Sequence, residues 1–154
     1  MADKADFETG EWEALLAMPW LAGLIVVIAD PSVRLLGELK AMKKAIVDGD
    51  TAGPAGALID QLVADMRDDE HQPDLDIDAD EIDQLLDTLA VAGALLDAKC
   101  DQPEAIHLKQ WTLGAAQEAA EARKEGGVLG FGAIRVSEAE VDALAKIQAT
   151  LGLR

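Results

Sequence analysis

The sequence predicts an all-α chain folded as a single-domain bundle of about six helices, and three observations predict it. Apolar residues recur at the 3.6-residue period in almost every long segment. The boundaries between those segments carry helix-start signals, namely Asp30-Pro31, Pro103 and Ser137-Glu-Ala-Glu140. The stretch Ala14 to Ala29 has no charged residue, which marks a helix apolar on every side, and such a helix belongs at the centre of a bundle. Composition agrees. A length of 154 residues suits one domain spanning 1–154, and 50% hydrophobic residues is too many for a disordered chain even at a net charge of -17.

The first helix is expected to start at Thr9, whose hydroxyl can accept a free backbone N–H, with Glu11 and Glu13 at the positive end of the dipole. It runs to about Ala29. The uncharged part is 16 residues long, against about 20 needed to cross a bilayer, and it contains Pro19 and Gly23. A buried helix is therefore expected, and no membrane association. Asp30-Pro31 then places a cap before a proline at the first helical position, opening a second helix with Leu35, Leu39, Met42 and Ile46 as its inner stripe. Gly49 ends it, and the loop from Asp48 to Gly56 is too rich in glycine for regular structure.

A third helix from about Pro54 to Arg67 carries Leu58, Ile59, Leu62, Val63 and Met66 inside, with Asp60 and Asp65 outside. The polar run from about 68 to 80 reads as an acidic linker between two helical halves. A fourth helix, about Asp80 to Ala98, shows Ile82, Leu85, Leu86, Leu89 and Leu96. Pro103 opens a fifth that ends at Gly126-Gly127, and its Ala115, Ala116, Ala119, Ala120 and Ala122 permit close approach of a neighbouring helix, from this chain or another copy. The glycine-rich stretch 126–136 is the single extended candidate and reads as a packed loop. Ser137 and Glu140 form a capping box that launches the last helix through Val141, Leu144, Ile147 and Leu151.

Function is less legible. The start, Met1-Ala2-Asp3-Lys4-Ala5-Asp6, lacks the basic-then-apolar pattern of a secretory signal, and a lone Cys100 allows no internal disulfide, so a soluble cytoplasmic protein is expected. The nucleophile inventory is thin, with no Tyr, two His and one Cys, and both serines, Ser32 and Ser137, are explained by helix starts. An enzyme is not expected. Cys100 and His107 straddle Pro103 with no third group to orient them, and the glycines at 127, 130 and 132 lack the Gly-Lys-Ser/Thr of a phosphate loop. The acidic balance and 3% aromatic content also argue against a nucleic-acid partner.

Two patterns could hold a divalent cation. Asp76, Asp78, Asp80 and Asp87 fall at positions 1, 3, 5 and 12 of a calcium loop, although Glu81 stands where glycine must turn the chain. A solvated linker that also caps a helix is the preferred reading. Glu104-Ala-Ile-His107 has the Glu-x-x-His spacing of di-iron bundles, which use it twice with two further glutamates. Here it occurs once, and an exposed pair near a helix start is preferred, with no cofactor. Arg34, Lys40, Lys43 and Lys44 cluster on the second helix, a solvated exterior or a face that meets acid.

A long apolar helix, a turn with Asp then Pro, and another helix occur at Leu15 to Val47 and again at Leu85 to Arg123. This arrangement resembles the tellurite-resistance TerB-like helical proteins over residues 12 to 125, with Ala29-Asp30-Pro31 in place of their Ala-Asp-Gly turn and Glu38 or Glu104 as the downstream glutamate. The segments 124–132 and 136–140 are similar to the tails of small bacterial proteins of unassigned function. The resemblance implies a metal-responsive bundle binding a divalent cation through acidic residues. The residues themselves favour a non-enzymatic helical interaction or self-association module of a bacterial cytoplasm, whose partner is a protein or a second copy in a homodimer.

Overall fold

In a computed structural model of the chain, the described residues are 2–30, 35–69, 81–125 and 138–153. Among them are six α-helices and a short 3₁₀ turn, Lys4–Asp6, with no strand. The all-α bundle is as expected. The helices are α1 (Thr9–Ala29), α2 (Leu35–Asp48), α3 (Gly56–Asp69), α4 (Ile82–Lys99), α5 (Gln102–Glu125) and α6 (Glu138–Thr150).

α1 is the central element, touching each of the other five helices and α5 most extensively. The uncharged stretch from Ala14 to Ala29 explains that position: Leu15, Met18, Ala22 and Ile25 on one face have no exposed surface, and Leu16, Trp20, Leu24 and Val27 are buried on the opposite side. α1 is long and apolar enough to cross a membrane, yet most of it is buried in the bundle. Its start differs from expectation. Glu11, rather than Thr9, closes the first turn, its Oε2 accepting the Glu8 N–H at 2.8 Å.

On α2, Met42 and Ile46 are fully buried and Leu39 partly so. The Met42 side chain fills the space a Cβ on Gly23 would need, so a glycine is what lets α2 lie close to α1. Gly49 ends α2 with φ +66°, the left-handed cap that glycine adopts without strain. α3 buries all five expected residues, Leu58, Ile59, Leu62, Val63 and Met66. It starts two residues later than Pro54 and continues through Asp68 and Asp69, which therefore belong to a helix and not to the linker. On α4, Leu89 and Leu96 are fully buried, with Ala92 and Gly93 between them.

α5 packs chiefly on α1 and α2, and its Ala115, Ala116, Ala119 and Ala120 are buried at 0–1% exposure. The alanine face is thus used inside this chain and is not open to another copy. On α6 the inner residues are Ala143, Ile147 and Leu151, while Val141 is 55% exposed against expectation. The reason is angular: six residues before Ile147 is about 120° round the helix, off the buried face. The proposed Asp30-Pro31 helix start, the acidic run 70–80, the glycine-rich stretch 126–136 and the Ser137 cap lie wholly or partly outside the described residues.

Candidate functional site

The start of α5 gathers the chain's most elaborate polar contacts. Asp101 caps the helix, its Oδ1 accepting the Glu104 N–H at 2.9 Å, and Glu104 Oε2 returns the bond to the Asp101 N–H at 3.1 Å. The other carboxylate oxygen, Oε1, accepts the Ala2 N–H at 2.9 Å, fixing the segment that precedes α1 onto α5. Glu104 is 4% exposed, so both oxygens need these partners.

One turn further on, His107 is clasped by the glycine-rich loop between α2 and α3. Its Nδ1 accepts the N–H of buried Ala55 at 2.9 Å, and its Nε2 lies 2.9 Å from Asp50 Oδ2. Accepting at Nδ1 puts the proton of the neutral ring on Nε2, where it donates to Asp50. That bond holds the Asp50 carboxyl below the usual carboxylate range. Gly53 lies against the imidazole: a Cβ there would stand 2.5 Å from Cε1. The loop therefore has glycine where the ring passes, a backbone N–H where the ring accepts and a carboxylate where it donates.

Beside this clasp is an open groove of about 540 Å³ lined by Pro54, Gln102, Pro103, Ile106, His107 and Gln110. Its lining combines apolar and carboxamide side chains with the imidazole, and has no acidic or lysine side chain.

Similar anchoring recurs at the other end of the N-terminal segment. Asp65 Oδ2 accepts from Trp12 Nε1 at 2.8 Å and from Lys4 Nζ at 2.6 Å, and both bonds hold its carboxyl low, that of Lys4 the more. Lys99 reaches Glu11 and the Asp6 carbonyl, lowering the Glu11 carboxyl. Cys100 is half-buried beside Glu104, Asp101 and Asp6, and burial followed by those charges pushes its thiol up to about 11. It is a poor nucleophile.

Of the sequence candidates, Glu104 and His107 are buried rather than exposed, and they turn to separate partners. Asp87 is exposed on α4, and Asp76, Asp78 and Asp80 lie outside the described residues. Among the described residues, no group of three or more His, Cys, Asp or Glu is arranged to hold a metal ion. Asp50, Gly53, Ala55 and Asp65 were missed as contact residues. The one sequence signal for the first three was a loop with several glycines and a proline, whose backbone N–H groups must be satisfied by something distant.

The exterior of α2 is different. Lys4, Lys99, Lys109 and Lys146 each pair with a carboxylate, of Asp65, Glu11, Asp97 and Asp142. Lys40, Lys43 and Lys44 are exposed, and among the described residues none of them forms an ion pair. Arg34 lies outside the described residues. No family model matches the chain, and neither a curated protein nor a solved structure matches it.

Proposed function

We propose that the chain is a non-enzymatic helical interaction module that docks a protein partner or a second copy of itself through the groove beside His107. The observation that supports this is the groove's lining. In a chain of net charge -17, it presents two prolines, Ile106 and two carboxamides, and Ile106 is a large apolar side chain left 38% exposed. Apolar surface depleted of charged residues is the pattern at the core of protein contacts. The loop that forms one wall is held by His107, so the recess is shaped before a partner arrives and less ordering is required on binding.

The metal-responsive reading asks more of the same residues. His107 would have to give up its bond to Ala55 or Asp50 to ligate an ion, and Glu104 would have to share oxygens that already accept from Ala2 and Asp101. One sample purified without chelator separates the two readings. Molar mass by light scattering should exceed that of the monomer as concentration rises, and Ile106→Glu should return it to monomer. A wild-type monomer carrying stoichiometric divalent metal would overturn the proposal in favour of the metal-responsive bundle.

A further inference from the structure

We infer that the outer face of α2 is a second docking surface, and that its occupant is an acidic peptide segment of a protein partner. The inference rests on the reading of the chain as an interaction module and names the chemistry of one partner. Lysine is scarce here relative to acid, with Lys and Arg together numbering 13 against 30 Asp and Glu. Under that imbalance a lysine readily finds a carboxylate, and exposed Lys4, Lys99 and Lys146 and buried Lys109 all do. Among the described residues, the three lysines that do not are neighbours on one helix. At 3.6 residues per turn, Lys40, Lys43 and Lys44 fall within about 100° of the α2 surface and about 6 Å of its axis. α2 turns its opposite side, with Met42 and Ile46, to the core.

The size of the patch selects the partner. Three ammonium groups over about one helical turn match two or three carboxylates of an acidic helix spaced three and four residues apart. A longer polyanion would run past the patch, where exposed Asp48 and Asp50 follow at the end of α2. The net charge of -17 repels nucleic acid over the rest of the surface. A membrane surface fits poorly as well, because among the described residues the large exposed hydrophobics Val91, Ile106 and Val141 lie on α4, α5 and α6 and none is on α2.

The test uses the full chain and a fluorescein-labelled twelve-residue oligoglutamate, read by anisotropy. Saturable binding is expected at an ionic strength of about 0.01 M, where charges act over about 30 Å, and weaker binding at about 0.15 M, where they act over about 8 Å. Lys43→Glu should weaken binding by about two- to fivefold, the range of one exposed ion pair. Lys146→Glu changes the net charge equally and lies on α6, so it should leave binding unchanged. Lys43→Gln serves if circular dichroism shows that the reversal disturbs the helices. Absence of saturable binding at low salt, or equal losses in the two variants, would overturn the assignment. Tighter binding of a DNA oligonucleotide of matched charge would overturn it in favour of nucleic acid. The groove proposal is read independently from molar mass, so either surface can fail while the other stands.

Discussion

Substituting Gly53 by alanine tests the clasp around His107 without touching any of its hydrogen-bonding groups. The new Cβ would stand 2.5 Å from Cε1, 2.7 Å from Nδ1 and 2.8 Å from Nε2 of the imidazole, too near for van der Waals contact. Gly53 does not adopt a positive φ, so backbone strain does not confuse the result. The ring must retreat, and it cannot do so without stretching the two 2.9 Å bonds to Ala55 and Asp50. Ala55 is 1% exposed, so water cannot replace the lost acceptor. Leaving its N–H unsatisfied costs about 1–3 kcal/mol. Alanine also restricts the unfolded chain, which offsets about 0.4–1 kcal/mol. The net loss should be about 1–2 kcal/mol, a fall of roughly 2–8 °C in melting temperature for a chain of this length. The assay is thermal unfolding of Gly53→Ala, His107→Ala and the double variant. Once the ring is gone the methyl has room, so Gly53→Ala in the His107→Ala background should be neutral or slightly stabilising. Equal costs in the two backgrounds would refute the clasp, as would a Gly53→Ala protein as stable as wild type.

Three other outcomes follow from named contacts. Gly23→Ala places a methyl where the Met42 side chain lies and should destabilise by about 1–3 kcal/mol, whereas Gly114→Ala, with open space around it, should stabilise by about 0.5–1 kcal/mol; urea unfolding compares them. Cys100 should react with a disulfide reagent far more slowly in the native protein than in urea, because a thiol raised from 9.0 to about 11 has roughly a hundredfold less thiolate at neutral pH. Asp65, Asp50 and Glu11 have carboxyls held below their usual values, so the stability they add is complete above the unfolded carboxylate range and is lost as pH falls through their lower folded values. Asp65→Asn should therefore be less stable than wild type at pH 7, and the gap in unfolding midpoint should narrow as the pH approaches 2.

The helices were legible because each is written locally. The stripe Leu58, Ile59, Leu62, Val63 and Met66 identifies α3 and its inner face together, and all five are buried. The uncharged stretch from Ala14 to Ala29 in α1 announced its central position, since no orientation of it leaves a polar face for water. Errors came where periodicity was thin. Val141 was placed inside because it is apolar and early in α6, yet the face defined by Ile147 and Leu151 continues back through Ala143 to Glu140, so a polar residue takes the buried position. The start of α1 also misled, since Thr9 and Glu11 both suit a first turn, and only the Glu8 N–H direction decides between them.

The candidate site failed to emerge for a different reason. Glu104-Ala-Ile-His107 did indicate that both side chains leave α5 on neighbouring lines, since three residues turn the helix by about 300°. Where each side chain ends depends on what lies opposite, and those partners are distant in the chain: 102 residues separate Glu104 from Ala2, and 52 separate His107 from Ala55. Both partners are backbone N–H groups, which every residue but proline offers and which leave no mark in the side-chain pattern. A glutamate and a histidine three apart read equally well as metal ligands or as two acceptors for orphaned N–H groups. The second use is the common need of a bundle in which the N–H groups of Ala2 and Ala55 must both be satisfied where water is excluded. The glycines suit the second use. A metal-binding histidine needs space on its Nδ1 or Nε2 side, whereas Gly53 lies against the ring and Gly56 is crowded by the Thr51 carbonyl, closing the loop around an imidazole whose two nitrogens already have partners.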